Sequence, residues 1–193
     1  MNDVIDLRVV KTLENIKRSF MVCIQKKTFT KITVTDIINE AKINRSTFYK
    51  YYKDKYDLRE SLIKSTLDEL SDNIKLNFLK LQYNNIDTYR NSLVQQLQFM
   101  YDHKEWYLTL WNRNTELYVF EDMQRLFEEK MRACVYENGT SSFPKYELFA
   151  RLFATSAMTT VKWWYECGLQ SSVNAVADII IDNITNGMYR AFL

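Results

Sequence analysis

The sequence predicts an all-α protein of about nine helices, and three observations carry that expectation. Its 193 residues include only three Gly and one Pro, fewer turn formers than a sheet-rich chain uses. Apolar residues recur at three- and four-residue spacing along most of the chain rather than alternating. Hydroxyl or acidic residues suited to capping stand ahead of several of these runs. The length suffices for one large domain or two small ones packed together, and the pattern divides near residues 1–53 and 54–193.

Residues 7–27 carry the stripe Val9, Leu13, Ile16, Phe20 and Ile24, with most of the lysines off it, and read as one amphipathic helix. Thr28 to Lys31 is a connector whose Phe29 plugs the core. Ile32 stands where a hydrophobic staple sits, just before the cap residue Thr33. Ile37, Ile38 and Ala41 give the next helix its apolar side, and Lys42–Ile43–Asn44 interrupts it. Asn44 or Arg45 opens a third helix. Its Phe48 and Tyr52, four apart, turn inward and leave Arg45, Ser46, Thr47, Tyr49 and Lys50 to point outward. Two short helices, a tight turn, and an outward face of hydroxyls and cations form a helix-turn-helix, which lays its second helix in the major groove of DNA.

Asp54 is a natural cap for a long linking helix over about residues 55–81, with Leu58, Leu62, Leu67, Leu70, Ile74, Phe78 and Leu81 on its apolar side. Residues 82–86 read as a loop. Helices are expected from about 87 to 102, from 105 to 111, from Thr115 to about 137, from Pro144 to Cys167 with Gly168 as the stop, and from Val173 to about 190 behind a Ser171 or Ser172 cap. The run Asn138 to Ser142 is the most loop-like in the chain. No internal repeat or low-complexity tract occurs.

The pattern Thr33, Ile37, Ala41, Ile43, Ser46, Thr47, Phe48, Tyr49, Tyr51, Tyr52, Lys55 and Leu58 resembles the N-terminal domain of the tetracycline-repressor (TetR) family of transcription regulators. The resemblance is sharp from about Leu7 to Leu67. One position departs: the family usually places Gly at the turn, where a positive φ is convenient, and this chain has Lys42, at a cost of roughly 1 kcal/mol. The resemblance implies that Thr47 and Tyr49 touch phosphates or bases; Tyr51 is a further DNA-contact candidate, with core packing as its alternative. The resemblance implies too that Lys55 grips a phosphate and that Thr33 and Thr35 set a helix N-terminus against the DNA backbone. Arg45 and Lys50 are the candidates for reading guanine edges, with Ser46 beside them.

Charge agrees with that division. Residues 1–60 hold thirteen Lys/Arg against eight Asp/Glu, and the remainder holds thirteen against sixteen, within a net charge of +2. A basic head on a mildly acidic body suits phosphate binding. One helix-turn-helix alone binds weakly, and two heads set about 34–36 Å apart read a palindrome, so a homodimer on double-stranded DNA is expected. The last two helices, with the small residues Ala150, Ala154 and Ala157, are the expected interface, as in the resembled family. That family also senses small molecules in its helical body. Trp106, Tyr107, Trp111, Phe120, Trp163 and Trp164 are the candidate effector-binding residues. Trp163 and Trp164, about 100° apart on a helix, must face different surroundings. The pair resembles a subgroup of the family found in Gram-positive bacteria.

Other chemistries find little support. His103 is the only histidine, Cys23, Cys134 and Cys167 form no Cys-x-x-Cys, and the glycines are too scattered for a phosphate loop. No metal, cofactor or catalytic residue is therefore expected. No signal peptide or membrane span is read, and a cytoplasmic location is expected. The leading expectation is a repressor controlled by a small molecule. The rivals are a regulator controlled by a protein partner and a cytosolic ligand-binding protein or enzyme.

Overall fold

The computed structural model describes residues 7–74, 86–137 and 144–186. Among these residues there are nine α-helices, two 3-10 turns and no strand. The expected ends of the linking helix and of the last helix, with Phe78, Leu81 and Met188, and the Asn138–Ser142 loop lie outside the described residues.

By internal packing the chain forms two compact units, Met1–Asp68 with Glu105–Val119, and Glu69–Lys104 with Phe120–Leu193. The first contains α1 (Leu7–Lys26), a 3-10 turn (Phe29–Lys31), α2 (Val34–Ala41), α3 (Arg45–Tyr51) and the first part of α4 (Lys55–Asn73). It also takes in α6 (Lys104–Trp111, from Glu105 on) and a second 3-10 turn (Arg113–Thr115). Its core is Ile16, Phe20, Ile24, Phe29, Ile32, Ile37, Phe48, Tyr52, Leu58 and Leu62, all buried. Phe29 meets Phe20 edge-on at 6.1 Å, and Phe48 lies 5.8 Å from Tyr52. Val9 and Leu13, the first members of the expected α1 stripe, are only half-buried.

The second unit holds the rest of α4, α5 (Ile86–Asp102), α7 (Val119–Glu137, from Phe120 on), α8 (Pro144–Glu166) and α9 (Val173–Thr185). Both α5 and α8 pack on α9. Ser172 caps α9 by accepting from the Ala175 N–H at 3.2 Å. At the end of α8 the Leu169 N–H donates to the Trp164 carbonyl and the Gly168 N–H to that of Tyr165, with Gly168 at φ +66. This closure satisfies carbonyls that the helix leaves open and requires the left-handed backbone that Gly supplies.

Helix α7 starts four residues later than the Thr115 start expected from sequence. The Thr115 hydroxyl does not cap it but donates to the Asn112 carbonyl at 2.6 Å, closing the second 3-10 turn. Glu116 and Tyr118 then take positive φ of 61° and 56°, which breaks helical continuity before Val119. No described helix is long and apolar enough to cross a membrane.

Candidate nucleic-acid interface

Local capping chemistry defines the helix-turn-helix. The Thr33 hydroxyl accepts from the Asp36 N–H at 3.1 Å, and the Asp36 carboxylate accepts from the Thr33 N–H at 2.8 Å. This reciprocal box satisfies N–H groups at the start of α2 that have no partner within the helix. Lys27 donates to the same carboxylate at 2.7 Å. The Lys27 hydrogen bond, followed by those from Thr33, holds the Asp36 carboxyl down at about 2. Asn15 Nδ2 of α1 donates to the Ala41 carbonyl at 2.8 Å, holding the end of α2.

Helix α2 ends on Lys42, at φ 53 and ψ 43. The turn therefore does need the left-handed conformation that usually favours Gly. Lys42 adopts it, with its N–H donating to the Asn39 carbonyl. Asn44 stands at the head of α3 without a side-chain cap hydrogen bond. Phe48 is 0% exposed, which anchors α3 to the core and fixes which of its sides faces out.

That outer side carries the candidates. Arg45, Ser46 and Lys50 are exposed, and Tyr49 is 47% exposed, while Thr47 and Tyr51 are half-buried. Arg45 Nη2 donates to the Thr35 hydroxyl at 3.1 Å, joining the two helices of the motif, and its guanidinium lies 5.9 Å from the Tyr49 ring centre. Lys50 Nζ lies 5.4 Å from that of Tyr51. The structure thus brings Thr33, Thr35, Arg45, Ser46, Tyr49 and Lys50 to the surface of one small motif. Cations and hydroxyls there can serve phosphate oxygens and base-edge acceptors.

Lys55 is placed differently from the expectation that it grips a phosphate. Its ammonium donates to the carbonyls of Phe29 and Thr30 at 3.0 Å and of Ile32 at 2.8 Å. It also stands 4.8 Å from the Phe29 ring centre. An ammonium has three donors, and all three are occupied within the protein. The reason is tertiary: the 3-10 turn gathers three carbonyls at the head of α4. Asp54 opens that helix as expected, accepting from the N–H groups of Tyr56 and Asp57.

The six aromatic effector candidates divide between the two units. Trp106, Tyr107 and Trp111 belong to the first unit, where Trp106 Nε1 donates to the Thr66 hydroxyl and Tyr107 is buried against Trp111. Phe120, Trp163 and Trp164 belong to the second. Trp163 is 43% exposed, whereas Trp164 is fully buried, stacked on Tyr101, with its N–H donated to the Ser171 carbonyl at 2.8 Å. The adjacent pair does face different surroundings. A cavity of about 40 Å³ lies within the second unit, lined by residues of all five of its helices, among them Leu70, Leu97, Met100, Phe127, Met158 and Ile180. None of the six aromatics lines it. Its walls are mainly aliphatic and thioether, with one aromatic ring, Phe127, and the polar side chains Asn73 and Gln96.

The small residues of α8 are likewise turned inward. Ala150, Ala154 and Ala157 are buried within the single chain, which corrects their expected place on an interface. On the opposite arc of the helix Leu148, Phe149, Leu152 and Trp163 are exposed, as is Ile179 of α9. Among the described residues no group of three or more His, Cys, Asp or Glu is placed to hold a metal ion.

Comparison with known proteins agrees with this geometry. Residues 21–62 match the family described as "Bacterial regulatory proteins, tetR family". The chain is 34% identical over 73 residues to an uncharacterized HTH-type transcriptional regulator, YxbF, of Bacillus subtilis. That stretch covers 37% of this chain and 19% of YxbF, so the chain spans about a fifth of the length of the curated relative it matches. The fold is shared with a TetR transcriptional regulator from Streptococcus agalactiae, at TM-score 0.57 and 20% identity over 90% of this chain and 93% of the other. It is shared too with the regulator FadR of Bacillus subtilis in complex with stearoyl-CoA, at TM-score 0.59 and 15% identity over 90% and 98%.

Proposed function

Because the chain belongs, through its N-terminal domain, to the tetR family of bacterial regulatory proteins, we propose that it acts as a homodimer on a palindromic operator and that a small apolar molecule sets its affinity. The observation that carries the DNA reading is α3. Its buried Phe48 holds the helix on the core and leaves Arg45, Ser46, Tyr49 and Lys50 facing out. Arg45 and Lys50 address guanine acceptors, and Thr33, Thr35, Ser46, Thr47 and Tyr49 position the helix on phosphates.

The dimer forms through α8 and α9. The exposed Leu148, Phe149 and Leu152, with Trp163 about three turns further along the same side of α8, support this, since large apolar side chains gathered on one helix face mark a contact surface. Effector control rests on the cavity of the second unit. Its lining is apolar apart from Asn73 and Gln96, which favours a hydrocarbon-rich ligand. At about 40 Å³ it admits no such ligand without repacking. Met100 and Met158, unbranched and adaptable, are the side chains suited to move. A ligand that prefers one of two conformations of the protein then shifts the population toward or away from DNA. FadR, solved with stearoyl-CoA, shows the same fold with such a molecule bound.

Selection of bound sequences from a random DNA pool by the purified chain tests the reading. An inverted repeat is the expected product, and Arg45→Ala should relax preference at one position of each half-site by about 1–3 kcal/mol. No duplex binding in low salt overturns it, and so does binding that ignores Arg45 and Lys50 together.

A further inference from the structure

Two of the four non-glycine residues with positive φ among the described residues fall within three positions, Glu116 and Tyr118. The other two, Lys42 and Leu169, close α-helix ends; Glu116 directly follows the second 3-10 turn, its N–H donating to the Arg113 carbonyl, and with Tyr118 it flanks the buried Leu117 in the passage to α7. Left-handed backbone at residues with a Cβ is unfavourable and persists only where the surroundings enforce it.

The same passage makes a contact across 86 positions of sequence. Glu116 Oε2 accepts from the Thr30 N–H at 3.0 Å, and Oε1 accepts from the Thr30 hydroxyl at 3.3 Å. Thr30 lies in the 3-10 turn Phe29–Lys31, three residues before the Thr33 cap from which α2 departs. The carbonyls of the same stretch receive the Lys55 ammonium. The entry to the helix-turn-helix is therefore held on its donors by Glu116 and on its acceptors by Lys55.

We propose that Glu116 is a positioning residue for DNA binding: its carboxylate fixes the Thr28–Ile32 turn, and through it the pose of Thr33, α2 and α3, without touching DNA. The inference rests on the DNA-binding reading above and adds a residue that lies outside the matched region 21–62. Residues 105–119 fold with the first unit, while the chain immediately before and after them belongs to the second. Glu116 reaches the turn through two charge-assisted hydrogen bonds. A carboxylate is repelled by phosphate, so it serves here as an internal clamp and not as a contact.

The test compares Glu116→Ala, Glu116→Gln and wild type in the full chain. Three quantities are read: affinity for the inverted-repeat duplex recovered by selection, the salt dependence of that affinity, and hydrogen exchange at the Thr30 amide. Alanine should weaken binding by about tenfold, leave the salt slope unchanged and speed Thr30 exchange by a comparable factor. Glutamine should stay within about threefold of wild type, since its amide oxygen accepts from the Thr30 N–H and its NH₂ donates to the hydroxyl. Unchanged affinity in the alanine variant overturns the proposal, as does unchanged Thr30 exchange or a glutamine variant as weak as alanine. A wild-type chain that binds no duplex overturns the DNA reading along with it. A wild type that binds, beside an alanine variant that binds equally, overturns the positioning role alone.

Discussion

Lys55 Nζ lies 2.8 Å from the Ile32 carbonyl oxygen, closing the first turn of α4 onto the residue that precedes the helix-turn-helix. With two further carbonyls on the same ammonium, this cation is a structural tie. Hydrogen bonds to a charged group contribute about 1.5–3 kcal/mol each in favourable settings, and these three share one partly exposed donor.

Lys55→Met should therefore lower unfolding stability by about 1–3 kcal/mol in a denaturant titration, while leaving the salt slope of DNA binding as it was. Lys55→Arg should not restore the loss, because a planar guanidinium cannot converge on three carbonyls as an ammonium does. Unchanged stability with a salt slope shallower by about one would return Lys55 to a phosphate.

Lys42→Gly should raise stability by about 0.5–1 kcal/mol. The residue sits at φ 53, where a Cβ is strained, although Gly also loosens the unfolded chain. Lys42→Val should lower stability, since β-branching disfavours that region further. Thermal unfolding of the two variants side by side decides it; a Gly variant no more stable than the Val one would mean the turn carries no strain.

Asp36 gives a pH signature. Its carboxyl titrates near 2 in the folded protein, below the unfolded value of about 3.9. The folded form thus binds the proton less readily. The stabilisation is fully present above about pH 4 and is lost as the pH falls through 2. Solvent screening limits the contribution to about 1 kcal/mol, since the pair with Lys27 is partly exposed. Asp36→Asn should cost about that much at pH 7, and the gap from wild type should close between pH 4 and pH 2. A gap independent of pH would assign the effect to lost capping geometry instead of charge.

Leu152→Glu places a carboxylate in the exposed apolar arc of α8. The expected result by light scattering is a monomer of unchanged helicity, with operator affinity falling because each half-site must then be bound alone. A variant that stays dimeric would move the interface to another face.

The helix-turn-helix was legible because its determinants are local. Thr33 stands as a cap directly before the apolar run of α2, and Phe48 and Tyr52 share one helical side; the reciprocal bond with Asp36 appears only in the structure. The positive φ at Lys42 was expected from the Gly that the resembled family usually places at this turn. The body was less legible. Trp164 and Trp163 have the same chemistry and adjacent positions, yet one is fully buried and the other half exposed. Ala150, Ala154 and Ala157 offer a close-packing face, and spacing cannot say whether its partner is α9 or a second chain. Thr115 looks like a helix cap, and only its bond to the Asn112 carbonyl shows that it closes a 3-10 turn.

Sequence alone settled the all-helical class, the motif and its outward side, because helical periodicity, caps and a turn are set within a few residues of each other. Tertiary structure decided where the cations and carboxylates are spent. Lys55 has the same three donors whether it meets a phosphate or a backbone, and the fold of residues 29–32 supplied the carbonyls. Glu116 found Thr30 across 86 residues, a pairing that no local pattern encodes because it exists only once the chain has closed.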